Sequence, residues 1–166
     1  MNNKVLVVGG AGYIGGFLTD HLSENNYDVT VYDSLLFENR FLKDCKFIKG
    51  DIRNSQKLNS IVHNYDTVVW LAGMVGDGAC QVNPKLTQEV NVDSFLWLVD
   101  NYKGKIIFPS TCSVYGVNND LIDETAEPNP LSLYAATKLE AEKYVLEHRP
   151  DSLVFRLGTL FGLGDR

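Results

Sequence analysis

Residues 5–16 read "VLVVGGAGYIGG", an apolar, β-branched run that breaks straight into glycines. Gly9, Gly12 and Gly15 form G-x-x-G-x-x-G, and Gly10, Gly12 and Gly15 also satisfy G-x-G-x-x-G. A strand that turns on glycines directly into a helix leaves few folds open. The glycines allow a tight turn, close approach of a ligand to the backbone, and close packing of the helix on a sheet. The following helix, predicted over Tyr13–Glu24, offers free N–H groups and a positive dipole end to phosphates. The spacing therefore predicts a pyrophosphate at the carboxyl end of the first strand.

The rest of the chain repeats the strand–helix alternation. Apolar runs recur at Val5–Val8, Val29–Tyr32, Phe47–Ile48, Thr67–Leu71, Ile106–Phe108 and Leu153–Phe155. Several are apolar on successive residues, as in parallel strands buried on both faces. Helices are predicted between them. Asn54–Asn64 opens on an Asn or Ser cap, Pro84–Tyr102 has Pro in its first turn, and Leu131–Glu147 is rich in Ala, Leu, Glu and Lys. Residues 34–46 read as loop with a short helix. The expected fold is α/β, a Rossmann-type doubly wound parallel sheet with helices on both faces. Ligands bind such sheets at the carboxyl ends of the strands.

At 166 residues the chain suits one domain, residues 1–166. Its net charge of −6 argues against a nucleic-acid partner. No apolar run approaches a membrane span, and the short N-terminal run is not a signal peptide. Cys45, Cys80 and Cys112 are isolated in sequence and read as reduced thiols of a cytoplasmic protein. His21, His63 and His148 lie far apart, and no Cys/His cluster has metal-ligand spacing, so no metal is expected.

The other chemistry-bearing residues fall at predicted strand ends or on the next helix. Asp33 ends "VTVYD", where a carboxylate can accept both ribose hydroxyls of an adenosine and would repel a 2′-phosphate. This favours NAD over NADP, with Arg40 as a complication. Asp51 alone reads as a cap or turn; in a nucleotide-binding sheet it could accept from an adenine amino group while Ile52 packs on the ring. Leu71, Ala72 and Gly73 are small enough to let a dinucleotide lie close to the backbone, or are a simple loop. Asp77 and Cys80, read in that loop, face either substrate or solvent. Tyr134 and Lys138 are four apart and share a helix face. Bringing a phenol from ~10 to about 7 needs roughly 4 kcal/mol. An ammonium ~4 Å away supplies about that much at an effective dielectric of ~20. The pair could therefore take a hydroxyl proton. A surface Tyr and Lys is the bland alternative.

Together "GGAGYIG", Asp33, "GDI", "LAG", "NVDSFLWL", "STCSVYG", "DETAEPNPLSLYAATK" and "FRLGTLFGLGD" resemble the extended short-chain dehydrogenase/reductase family, in its NAD-dependent sugar-nucleotide epimerase/dehydratase branch. They occur in the family's order along essentially the whole chain. The resemblance implies NAD as cofactor, held by Gly9, Gly12, Tyr13, Ile14, Gly15, Asp33, Asp51, Ile52, Leu71, Ala72, Gly73, Asn91, Tyr134 and Lys138. It implies Thr111, Tyr134 and Lys138 as the catalytic set, with Thr111 holding the sugar oxygen. Asn91 matches a helix asparagine that organises the family's site. Where the dehydratases carry an acid pair, this chain has Cys112 and Ser113. A cysteine acid used by some relatives falls at Ser113, and strand alternation would turn Cys112 to another face. Thr159 stands where the family often has Asn.

The implied activity is epimerisation of a nucleotide-activated sugar, as by a UDP-glucose 4-epimerase, through a 4-keto intermediate. A sugar-nucleotide dehydrogenase or reductase, and a cofactor-binding domain without activity of its own, stay open. Family members continue past "GLGDR" into a smaller C-terminal substrate domain, so the chain reads as the N-terminal part of a longer protein. They commonly dimerise through the helices at 84–102 and 131–147, and a homodimer is expected. Phe95–Val99 is apolar nearly all round, which a dimer face would explain.

Overall fold

The computed structural model describes residues 3–37, 39–119 and 121–162. The last residues of "FRLGTLFGLGD", 163–165, lie outside the described residues. Six strands form one parallel sheet: β1 (Lys4–Val8), β2 (Asp28–Asp33), β3 (Lys46–Lys49), β4 (Thr67–Trp70), β5 (Lys105–Thr111) and β6 (Leu153–Leu157). Their order is β3-β2-β1-β4-β5-β6. The central registers pair Val8 with Tyr32 on one side and with Trp70 on the other. Chain order reverses between β1 and β4, which places a crevice at their carboxyl ends.

Both faces of the sheet are covered, which explains the unbroken apolar runs. Val5 and Val7 of β1 point to one face with Val29, Val31 and Val69, against Leu18 and Leu22 of α1 (Tyr13–Glu24). Leu6 and Val8 point to the other, with Tyr32, Val68 and Trp70. That larger core takes in α2 (Ser55–Val62), α5 (Ser94–Asn101) and α6 (Leu133–His148). Asn54 caps α2 by accepting from the Lys57 N–H at 3.0 Å. Ser132 caps α6, accepting from the Ala135 N–H at 3.2 Å, so that helix starts at Leu133 rather than Leu131.

Three expectations change. Residues 76–82 are not simple loop: Asp77 and Cys80 lie in α3 (Asp77–Val82), and Cys80 is buried. The predicted helix 84–102 is three pieces, α4 (Pro84–Gln88), a π-helical turn (Glu89–Asp93) and α5. From the start of α5 the Ser94 hydroxyl donates back to the Glu89 carbonyl at 2.7 Å, and Asn91 of the π turn faces inward, 3% exposed. A π turn widens the backbone by one residue, and a 3.6-residue pattern does not reveal it. Among the described residues of 34–46 there is no helix; Phe41 stacks on Phe47 at 4.7 Å instead. Of the apolar run 95–99, Phe95, Leu98 and Val99 are buried, whereas Leu96 and Trp97 are only half-buried.

Phe95 packs between Trp70 and Phe108, with ring centroids 5.6 and 4.2 Å away. Phe95→Ala is expected to cost about 3–5 kcal/mol of unfolding free energy in urea. A cost below about 1 kcal/mol would show that the α5–sheet contact is not part of the core.

Candidate active site

The glycine turn sits at the switch point. Gly9 has φ +83°, and a Cβ there would overlap the Ala72 backbone, so the turns after β1 and β4 pack backbone to backbone. A Cβ on Gly15 would lie 2.5 Å from the Gly10 backbone, so this glycine lets α1 pack against the turn. Gly12 differs. Its φ is −80°, and among the described residues a Cβ would meet only the Gly9 carbonyl oxygen, at 3.4 Å. Protein packing does not require glycine there. A phosphate drawn to the first turn of α1 would. Tyr13 and Ile14 open that turn, Tyr13 half-buried with its ring edge-on to Phe17.

Asp33 ends β2 beside this turn. One carboxylate oxygen accepts from the Ala11 N–H at 3.1 Å, the other from the Leu35 N–H at 2.8 Å. It therefore braces the glycine turn as well as facing the crevice, and each oxygen keeps a lone pair for a hydroxyl. Asp51 is more committed than its sequence suggests. Arg53 binds it through its own N–H (2.9 Å) and through the guanidinium (2.6 Å), which also reaches Glu89 at 3.3 Å. The Arg53 hydrogen bond holds the Asp51 carboxyl below its ordinary pKa. Ile52 is 8% exposed and belongs to the core, so it backs the crevice more than it lines it.

On the other side of the switch point lies a cleft of about 290 Å³. Leu71, Gly73 and Met74 enter it after β4, Thr111 from the end of β5, Tyr134 and Lys138 from α6, and Thr159 after β6. The three candidate catalytic residues thus share one cavity, whereas the glycine turn, Asp33 and Asp51 lie outside it. Ala72 stands between the two regions, in contact range of Gly9. Asn91 ties the cleft's walls together. Its Oδ1 accepts from the Met74 N–H at 2.7 Å, while its Nδ2 donates to the Met74 carbonyl (3.0 Å) and to Thr137 Oγ1 (3.2 Å). All its amide groups serve protein partners, so it acts by holding the turn after β4 to α6.

Beta structure ends at Thr111, and Cys112–Tyr115 is a single 3-10 turn. Strand alternation therefore does not place Cys112; the turn leaves it exposed. Thr111 Oγ1 accepts from the Ser113 N–H at 3.2 Å. Burial raises the Tyr134 phenol pKa, and the hydrogen bond with Thr111 works against that rise. Charge at Cys80, Cys112 and Asp77 adds to the rise. The phenol of the ligand-free chain therefore lies above its ordinary value. Lys138 departs from an ordinary lysine as well. It is 9% exposed, with Nζ 3.9 Å from the centre of the Phe108 ring, and burial pushes its pKa down to about 7. Near neutrality it carries only part of its charge.

Sequence reasoning missed Glu142 and Arg156. Glu142 lies one turn beyond Lys138 on α6 and is 2% exposed, and Arg156 binds it at 2.6 Å from β6. Two signals pointed to them: a glutamate four residues after the lysine, and an arginine inside the apolar strand "LVFRL".

Residues 5–166 match the family described as NAD dependent epimerase/dehydratase. The chain belongs to that family. A UDP-glucose 4-epimerase of Rhizobium meliloti is 32% identical over 155 residues, covering 89% of this chain and 47% of its own length. The UDP-glucose 4-epimerase of Brucella ovis in complex with NAD superposes with a TM-score of 0.85 at 30% identity, over 93% of this chain and 51% of that one. The Thermotoga maritima UDP-glucose 4-epimerase with UDP-glucose gives 0.85 at 28% identity, over 92% and 54%. The chain thus spans about half the length of these relatives. NAD is the family's cofactor, and the open cradle at Gly12, the first turn of α1 and the carboxylate of Asp33 fit it. Among the described residues no helix is long and apolar enough to cross a membrane.

Two outcomes test this site. Gly12→Ala should leave thermal stability within about 1 kcal/mol while weakening NAD binding at least ~10-fold by calorimetry. Gly9→Ala should lose about 1–3 kcal/mol from backbone strain alone. Equal stability losses in the two variants would contradict the division of roles. The second outcome concerns Lys138. A lysine with folded pKa about 7 binds fewer protons folded than unfolded, up to its ordinary ~10.4. Stability should then rise with pH across that window. Lys138→Met should lose that rise and show a flatter pH dependence, as read from urea unfolding at a series of pH values.

Proposed function

We propose that this chain is the cofactor-binding and catalytic unit of an NAD-dependent epimerase acting on a nucleotide-activated sugar of the UDP-glucose class, with inversion at C4. The observation that carries this reading is the convergence of Thr111, Tyr134 and Lys138 in one cleft beside the glycine turn. Held at the switch point by the glycine turn and Asp33, NAD would supply a reversible hydride acceptor, and the sugar would pass through a 4-keto form. The protein's own part is proton transfer and orientation. Tyr134 Oη removes the proton of the sugar hydroxyl and returns it in the reverse step. Thr111 Oγ1 fixes the same sugar oxygen. Lys138, when protonated, offers the positive charge that a phenolate needs, and it can hold a ribose hydroxyl. Asn91 keeps the two walls in register through Met74 and Thr137.

The Brucella and Thermotoga proteins, with NAD and with UDP-glucose, support the choice of cofactor and substrate class. Cys112 and Ser113 provide no acid–base pair for water loss, which favours epimerisation over dehydration. Residues 1–166 act as one unit, in a cytoplasmic setting that suits three free thiols. The unit pairs with a second copy through the outer faces of α5 and α6. Half-buried Leu96 and Trp97 and the exposed Leu146 would be covered there.

The test is to supply NAD and UDP-glucose to the protein and follow UDP-galactose together with NADH. Epimerisation predicts sugar conversion without net NADH, and accumulating NADH would favour a dehydrogenase instead. Tyr134→Phe should lower turnover ~10²–10⁴-fold with NAD affinity retained. Trp97→Glu should shift a sedimenting dimer to monomer. A wild-type protein that sediments as a monomer at all concentrations would remove the dimer from the reading.

A further inference from the structure

The buried charges behind the cleft are unbalanced in an informative way. Lys138 and Glu142 stand four residues apart on α6, both turned inward. Glu142 Oε1 accepts from Arg156 Nε at 2.9 Å and from Nη2 at 2.6 Å. Its Oε2 is buried and has no hydrogen-bond partner among the described residues. Arg156 is fixed in turn: it donates to Tyr115 Oη at 2.8 Å and to the Glu124 carbonyl at 3.2 Å, and lies over the Tyr115 ring at 4.8 Å. A buried carboxylate with one bare oxygen is costly unless its charge serves another group. One such group is at hand, one helical turn away.

We propose that Glu142, clamped by Arg156, is the counter-charge that helps the buried Lys138 retain its proton, and is thus a positioning residue for the Tyr134–Lys138 pair. This rests on the assignment of Lys138 as the cation that serves Tyr134. The surrounding ionisable groups leave the task to Glu142. From α3, Asp77 and Cys80 act on Tyr134, as does Cys112 from the 3-10 turn. From β5 the neighbour of Lys138 is the uncharged Phe108 ring. Glu89 of the π turn is drawn to Arg53, and Glu140 is exposed and reaches Gln88. Asp93 and Lys143 are exposed. Burial lowers the Lys138 pKa, and the charge of Glu142 opposes that fall. Arg156 holds the carboxylate in place through two hydrogen bonds to Oε1 and stops it from swinging away. Because Arg156 takes only one oxygen, the other remains available to act on the lysine.

The sign of one shift separates this role from simple packing. Loosening the cluster would admit water and raise the Lys138 pKa toward its ordinary value. Removing a counter-charge would lower it. Lysine labelled with ¹³C at Cε, followed by NMR from acid to alkaline pH on the ligand-free protein, reads the midpoint directly. Lys138→Arg identifies the signal. In Glu142→Gln the midpoint should fall from about 7 by about one unit. The control Glu140→Gln should leave it unchanged. If Glu142→Gln does not fold, Glu142→Gln with Arg156→Met removes both charges together and should still shift the midpoint down, by less than the single variant, because losing the guanidinium's positive charge offsets part of the effect. An unchanged or raised midpoint in a folded variant, or an equal shift in the control, overturns the proposal. No NAD or sugar is present, so a failure of the epimerase reading cannot be mistaken for a failure of this one.

Discussion

Gly9 lies against the Ala72 backbone because it has no Cβ, and that contact sets the geometry of everything functional in the chain. It brings together the turns that follow the two central strands, where the sheet order reverses. A larger residue would separate them and open the crevice floor. Once the turns are packed, parallel strands deliver Asp33, Thr111 and Leu157 to one edge, because every strand runs the same way. The crossover helices then begin at that edge, so α1 opens at the glycine turn and α6 carries Tyr134 past the end of β5.

A second constraint is electrostatic. The inward face of α6 carries Lys138 and Glu142 into a region where apolar residues would be cheaper to bury. Phe108, Arg156 and Tyr115 form the setting that makes this tolerable, through a ring face, a paired carboxylate and a stacked guanidinium. Breaking such a pair by removing one partner commonly costs about 3–5 kcal/mol. The helix thus sacrifices some packing stability to hold an amine whose pKa lies near neutrality, where small changes of surroundings alter its charge. Tyr134, one turn earlier, is buried enough to need that charge.

The fold was legible in the sequence because two-sided burial writes itself as consecutive apolar residues. Val5–Val8 and Val29–Tyr32 read as parallel strands, and their side chains do divide between two cores. Glycine spacing located the switch point for the same reason: a missing Cβ is visible in sequence. What stayed hidden depends on contacts between distant segments. The π turn at Glu89–Asp93 has the composition of an ordinary helix, and only the inward amide of Asn91 reveals its effect. Asp51 read as a cap or turn, or as an adenine acceptor; its pairing with Arg53 stayed hidden because that side chain could equally have pointed to solvent. Lys138 was read as a full charge because its burial on Phe108 requires β5 and α6 to be placed together. Glu142 escaped notice because its partner Arg156 lies on another element.

The central claim is that the cofactor crevice and the Tyr134 cleft form one site. A positive charge brought beside Tyr134 should lower the phenol's pKa, so the ultraviolet band of tyrosinate reports on the junction directly. Adding NAD at mildly alkaline pH should produce that band in the wild-type protein and leave it absent in Tyr134→Phe. NAD that binds without changing the tyrosinate signal, or that changes it equally in the variant, would contradict a single site.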